Sequence, residues 1–359
     1  MLNILDRYIG KTVINNIIIT LLILVTLSSI IKFVEQLHKT LNSSYTILDA
    51  GYYTLLSIPK DIEIFFPMAT LLGVLLGLGI LTHNNEIMVM HASGYTRINI
   101  IQSVIKTAVP LILISIIINE FIAPKGEQSA RNYRDKKLYK STFVANHKKL
   151  WFKDLNSIVY IKNIKNINEI SEINIYLFSN HRRLLSICYA KTGIWNKNKK
   201  IWELLEVKEY NFKNLRQINI SHKIKIKWQT NLTPEKVNTL SIAVNPDSLS
   251  IRNLYIYNKY LKQSGQESKR YLLKMWYKIF QPLFILVMML LALSFAFGPL
   301  YNLSVSARII SGMSFGFLSY VIDRILGELS LIYGIPPVLS AIMPSLIFLL
   351  ISLLCLIKK

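Results

Sequence analysis

Long uncharged runs alternate with charged junctions along this chain of 359 residues. Residues 12–31 (TVINNIIITLLILVTLSSII) and 64–81 (IFFPMATLLGVLLGLGIL) carry no charge, and further apolar blocks occupy 107–119, 279–300, 309–322 and 331–357. About 20 apolar residues carry a helix across roughly 30 Å of hydrocarbon. The third and fifth blocks need their flanks to reach that length, where Lys106 and Arg324 can snorkel toward headgroups. The pattern predicts six membrane-spanning helices, three on each side of a large insert. The first block begins too far in, and is too long, for a cleaved signal peptide, so it is expected to remain as an anchor.

Between the third and fourth blocks the period changes. SHKIKIKWQ (221–229) alternates apolar and basic residues with period 2, and SIVYIKNI (157–164), INIYLF (173–178), LLSICYA (184–190) and IWELLEVKEY (201–210) are β-rich runs. Turns such as KTGIWNKNKK are expected between them. Five or more short strands at this spacing indicate a sandwich, jelly roll or open barrel, with either a filled core or an apolar trough able to hold a lipid tail. From about residue 252 the pattern becomes helical, with Tyr, Trp and Lys gathered before the fourth span as an interfacial belt. Pro282 and Pro336–Pro337 mark helix starts or kinks. The expected fold is an α-helical membrane protein with six transmembrane helices and an inserted all-β, jellyroll-like domain. The boundaries are 1–130 for the first three spans, 131–262 for the β domain and 263–359 for the last three spans.

Charge orients this plan. Arg7 and Lys11 precede span 1, Arg97 lies between spans 2 and 3, Arg308 lies between spans 4 and 5, and Lys358 and Lys359 end the chain. The positive-inside rule places both termini in the cytoplasm and the insert outside. The short loops expected on the outer side, 34–60 and 328–334, carry little net charge. The insert (124–270) holds 29 Lys/Arg against 11 Asp/Glu, much of the formal +22 of the whole chain. Long loops cross regardless of charge, so this excess is compatible with the topology, whether it is a solvated surface or a functional one. Cys188 falls in the insert and Cys355 in the last span, which excludes a disulfide scaffold.

Catalytic signatures are missing from the sequence. Gly10-Lys11-Thr12 looks like the end of a phosphate-binding loop, but Leu5 stands where that motif needs its first glycine. The six histidines show no metal spacing, and no G-x-S-x-G nucleophile elbow is present. No cofactor or metal is expected, and the chain is expected not to be an enzyme.

Two groups remain as candidates. NNEIMVMHASGYTRI (84–98) can form a short helix over 84–94, with Asn84 as cap, Glu86 in the first turn and Gly94 as a left-handed stop. Ile87, Met88, Met90 and His91 would offer an adaptable apolar face. The segment is either an interfacial helix lying flat on the membrane or a coupling helix seated in an ATPase. The second group is basic: Lys32, Lys39, Lys60, Arg131 and Arg134 all fall near the outer headgroup level. They either anchor helices or hold a phosphorylated glycolipid.

Several longer stretches carry a resemblance. LDRYIGKT (5–12), IIKFVEQL (30–37), SIPKDIEIFFPMATLLGVLLGLG (57–79), NEIMVMHASGYTR (85–97), APKGEQSARNYR (123–134), KYLKQSGQESKRYLLKMWYKIFQPL (259–283) and LALSFAFGPL (291–300) together resemble the LptF/LptG family of lipopolysaccharide export permeases. The resemblance is dense in 3–134 and 255–300 and thin in 140–250. It implies a Gram-negative inner-membrane subunit with a periplasmic jellyroll. This subunit would pair with an LptF-like permease subunit, an LptB-like ATPase dimer and an LptC-like single-span protein, and would pass lipopolysaccharide to a periplasmic bridge protein. Carried over by motif, Glu86 would sit on the coupling helix. Lys32, Lys60, Arg131 and Arg134 would face lipid A phosphates, Lys39 would stand in a basic cluster, and spans 1 and 5 would line lateral gates. The rival plan is a non-transporting scaffold that recruits envelope-assembly partners.

Overall fold

The computed structural model describes residues 3–40, 45–138 and 150–357, apart from 155–156, 167, 180–182, 197–198, 200, 215–216, 229, 231, 235–236, 238–244, 264–265 and 299–304. The terminal Lys358 and Lys359 used in the topology argument lie outside the described residues. The chain divides into two units, 1–134 with 269–359, and 135–268.

The first unit is helical: α1 (Ile4–Leu37), α2 (Ile47–His83), α3 (Glu86–Ala92) and α4 (Arg97–Ile117) come first. A π-helical turn (Ile118–Ile122) then leads without a break into α5 (Ala123–Leu138). Helix α6 (Ile251–Gln263) belongs to the second unit; α7 (Lys269–Phe297), α8 (Val305–Tyr333) and α9 (Pro337–Ile357) complete the first. Among the described residues five helices are long and apolar enough to cross a membrane: α1, α2, the 42-residue rod from Arg97 to Leu138, α7 and α9. The fifth apolar block folds as α8, whose 29 residues span about 43 Å.

Helices run farther than the apolar blocks do. Of the loop expected at 34–60, residues 34–37 belong to α1 and 47–60 belong to α2, which starts at Ile47. A reciprocal cap explains that start: Thr46 N–H donates to Asp49 Oδ2 (3.0 Å), and Asp49 N–H donates back to Thr46 Oγ1 (3.3 Å). The loop expected at 328–334 is mostly helix as well, ending in Gly334 at φ +69° before Pro337 opens α9. Polar residues at these helix ends keep the helical hydrogen-bond pattern, so charge alone did not mark the ends.

Helix α2 is the hub. Gly73 and Gly77, four apart on one face, let α1 approach so closely that a Cβ on Gly73 would lie 2.5 Å from Ile17 Cα. Thr20 Oγ1 donates across this contact to the Ala69 carbonyl (3.2 Å). On another face Gly312 and Gly316 of α8 meet Leu75 and Met68 of α2. Leu71, Leu75 and Leu78 pack with Val104 of α4 and with Ile285, Met288 and Leu291 of α7 in one buried cluster. The outer side of α1 leaves Ile18, Ile19, Leu22, Ile23, Leu27 and Ile31 exposed, as suits a surface turned to lipid.

The second unit holds one antiparallel sheet in sequential order: β1 (Leu150–Asp154), β2 (Ser157–Asn166), β3 (Glu169–Phe178), β4 (Leu184–Asn196), β5 (Ile201–Asn214) and β6 (Gln217–Trp228). The five runs read from the sequence correspond to β2–β6, while β1 went unread because LWFKD is too short to show a period. KTGIWN, expected as turn, is the second half of β4, paired residue by residue with β5 from Thr192↔Leu205 to Asn196↔Ile201. Glycine and asparagine there face a long partner strand whose ladder overrides their turn preference. Strict alternation breaks at Glu172 and Glu206, both left-handed (φ +53° and +52°). Across these left-handed residues Ile170 and Ile173, and likewise Leu204 and Val207, stand three apart yet are all buried in the sheet's core. Lys162 and Lys191 bond the two displaced glutamates. That core face also packs against Leu232, Val237, Tyr257 and Tyr260, so this part of the sheet is filled by the chain itself.

Candidate functional site

The five cations expected to form a rim lie on three helices and one turn. Lys32 projects from the last turns of α1 and donates to Asp61 Oδ1 of α2 (2.6 Å). Lys60, one residue earlier on α2, donates to Glu63 Oε1 (2.7 Å). On α5, Arg131 Nε donates to Glu127 Oε1 (2.5 Å), and the Arg134 guanidinium lies 5.3 Å from the Tyr53 ring centre of α2. Helix α5 runs close along α2: a Cβ on Gly126 would meet the Leu56 carbonyl at 2.8 Å. Farther along, Tyr133 donates to Asp49 and packs its ring at a 60° tilt against Tyr52, 4.6 Å between ring centres. Lys32 and Arg134 thus reach residues of α2 from α1 and α5, Lys60 stands on α2 itself, and Arg131 bonds Glu127 of its own helix beside them. Lys39 stands apart in the turn after α1, donating to Gln36 Oε1 (3.3 Å).

Sequence reasoning missed the acids beneath these cations. Asp61 is 1% exposed, Glu63 and Glu127 are also buried, and in the Lys32–Asp61 and Arg131–Glu127 pairs the cation is the more open partner. One oxygen each of Asp61 and Glu63 is buried without a hydrogen-bond partner. It missed Lys278 of α7 as well. That buried ammonium donates to the Asn119 carbonyl in the π-turn (3.2 Å) and lies 3.5 Å from Glu63 Oε1, making Lys60–Glu63–Lys278 a shared triad. Nearby, Asn119 Nδ2 donates to Gln281 (2.7 Å), which donates to the Glu63 carbonyl (2.8 Å). The i, i+3 spacing of Lys60 and Glu63 in SIPKDIE and the i, i+4 spacing of Glu127 and Arg131 in EQSAR carried this signal, since salt bridges repeat at helical spacing.

At the far end of α2 the chain turns through Asn84 and Asn85. Asn84 ends α2, and Asn85 adopts φ +61°, a left-handed conformation that asparagine tolerates, so the expected capping role of Asn84 on α3 is replaced by a reversal between two helices. Helix α3 has only seven residues. Gly94, at φ +86°, closes it with paired bonds, Tyr95 N–H to the Met90 carbonyl (2.9 Å) and Gly94 N–H to the His91 carbonyl (3.0 Å).

The face expected to meet a partner divides in two. Ile87 and Met90 are 3% and 6% exposed and pack into this chain's own core, whereas Met88 and the unread Val89 are each 67% exposed. Short helices present neighbours i and i+1 on the side opposite their core stripe, which the apolar list alone could not resolve. His91 Nδ1 lies 2.8 Å from the Tyr95 carbonyl oxygen and closes the turn. Glu86 is held by Tyr8 of α1, whose hydroxyl donates to it (2.8 Å). Asp6, two residues earlier, accepts from Tyr95, Ser103 and Lys106 (2.8 Å for the lysine). These bonds tie the start of α1 to both ends of α3. Among the described residues no group of three metal-ligating side chains comes together.

The sequence profile of the family described as "Lipopolysaccharide export system permease LptF/LptG" matches residues 7–358. The chain is 51% identical over 356 residues to the "Lipopolysaccharide export system permease protein LptG" of Escherichia coli, covering 99% of this chain and 98% of that protein. It is 41% identical over 348 residues to the protein of the same description from Haemophilus influenzae, covering 97% and 96%.

Proposed function

The chain belongs to the LptF/LptG family of lipopolysaccharide export permeases, and from that membership we propose that it is the transmembrane permease subunit of an ABC transporter that extracts lipopolysaccharide from the inner membrane. It works with an LptF-like subunit, an LptB-like ATPase dimer and an LptC-like single-span protein, and delivers its cargo to a periplasmic bridge. Both termini and α3 face the cytoplasm, α8 is the sixth span, and the β unit is periplasmic.

The observation that carries this reading is the set of cations on three neighbouring helices, with Lys32 of α1 and Arg134 of α5 against α2, Lys60 on α2 and Arg131 on α5, of which Lys32 and Arg131 are part-exposed and suit lipid A phosphates. Closure of the ATPase dimer on ATP pushes α3 through the Met88–Val89 ridge. The Tyr8–Glu86 and Tyr95–Asp6 bonds then hand that displacement to α1, whose other end carries Lys32. The motion thus changes the cavity at the phosphate surface, and the two states differ in affinity for cargo, as directional transport requires.

The test is reconstitution of the chain with its three partner classes in proteoliposomes holding lipopolysaccharide. ATP-dependent release of lipid to a soluble bridge protein is expected. ATP hydrolysis with no lipid released would overturn the transporter reading.

A further inference from the structure

Three rim cations are each paired with a carboxylate set on a helix and at least as deeply buried as the cation. We propose that Asp61 and Glu127 are resident counter-ions of the phosphate surface: they share Lys32 and Arg131 with an arriving phosphate and reclaim them on discharge, setting affinity low enough for release. This inference rests on the rim reading proposed above and adds residues that set its strength.

The argument is electrostatic. A free pair of Lys and Arg groups binds a phosphate through charge-assisted hydrogen bonds, and binding that is too strong stalls a carrier that must let its cargo go. Asp61 takes one of the three Lys32 donors at 2.6 Å, and Glu127 takes the Arg131 Nε at 2.5 Å, one arm of the guanidinium's side-on fork, which leaves the end-on pair of Nη groups for a phosphate. Both acids also place a negative charge behind the cation, within a few ångströms of where phosphate oxygens arrive. Both acids are short and buried, so they stay beneath the surface, whereas Lys32 and Arg131 are about a third exposed and end long flexible stems that can reach an arriving phosphate. Asp61 also lies within electrostatic reach of Glu127, so the two act on one surface.

The experiment compares the full chain, purified in nanodiscs with its native partner subunits, against Asp61→Asn and Glu127→Gln. The probes are bis-phosphorylated lipid A, the same lipid with its phosphates removed, and inorganic pyrophosphate. Each variant is expected to bind lipid A about tenfold more tightly, which is 1.4 kcal/mol, and to release it more slowly on ATP addition. No gain is expected with the dephosphorylated lipid, and Lys32→Ala/Asp61→Asn should lose the gain that Asp61→Asn shows. A purely structural role for Asp61 predicts poorer assembly with no tighter binding. If Asp61→Asn fails to assemble, Glu127→Gln, in the more open pair, carries the comparison. Unchanged or weaker lipid A binding in the assembled variants overturns the counter-ion role, even where the unaltered complex keeps phosphate-dependent binding. A gain of equal size with pyrophosphate supports counter-ion control but assigns the surface to free phosphate, overturning the lipid reading instead. If the unaltered complex binds both lipids alike, the rim reading and this inference fall together.

Discussion

Replacing Gly73 by alanine tests the contact on which α2 depends. The added Cβ would lie 2.5 Å from both Ile17 Cα and Ile17 Cγ1 and 2.6 Å from Ile17 N. Carbon atoms settle at about 3.5–4.0 Å, so α1 must retreat by roughly 1 Å, and no rotamer change can relieve a clash with backbone. The retreat also stretches the Thr20 to Ala69 hydrogen bond, now 3.2 Å. Overpacking of this kind costs about 1–3 kcal/mol, and a lost interhelical bond in a membrane adds about 0.6 kcal/mol. Gly77 supplies the internal control, because its Cβ would stand 3.3 Å from Val13 Cα, and a shift of a few tenths of an ångström relieves it. The expected loss is about 2–3 kcal/mol for Gly73→Ala and under about 1 kcal/mol for Gly77→Ala. Unfolding by SDS in mixed micelles, followed by far-ultraviolet circular dichroism, reads both. Equal losses, or Gly73→Ala within about 0.5 kcal/mol of the unaltered chain, would refute the close-approach argument.

Other expectations follow from single features. Met88→Glu with Val89→Glu should abolish copurification of the ATPase while leaving the helical unit folded, whereas Met90→Glu, buried in the core, should reduce yield in detergent; intact copurification of the first variant refutes the ridge as the contact. Burial pushes the Cys188 thiol up to about 11, so at neutral pH its alkylation by iodoacetamide should run roughly 300-fold slower than that of a free cysteine near 8.5. Mass spectrometry of the labelled chain checks this, and labelling within tenfold of a free thiol contradicts it. Trp202, fully buried in the sheet core, donates from its ring nitrogen to the Leu232 carbonyl at 2.7 Å. Trp202→Phe should cost about 2–4 kcal/mol through the orphaned carbonyl and the smaller ring. Limited proteolysis of the full chain should show faster cleavage within the β unit, and an unchanged cleavage rate argues against that role.

Composition and period alone were enough for the two-part plan. An uncharged run such as 64–81 has one stable solution in a bilayer, and SHKIKIKWQ has one period, so helices and strands announce themselves locally. Gly94 could be read as a stop because a left-handed cap is a property of one residue and its neighbours. The candidate cations could likewise be named, since a positive charge near a headgroup boundary stands out in any apolar sequence. What those cations touch could not be read. Asp61, Glu63 and Glu127 sit in the same stretches as Lys60 and Arg131, yet only the packing of α1 and α5 on α2 decides that they are buried and that Lys32, 29 residues from Asp61, belongs with them. Lys278 joins that group from across the chain for the same reason. The division of NNEIMVMHASGYTRI into a core side and an open side was equally tertiary, because a seven-residue helix has too few turns for its apolar residues to declare a face, and only its seat against α2 and α1 turns Ile87 and Met90 inward and leaves Met88 and Val89 to meet something else.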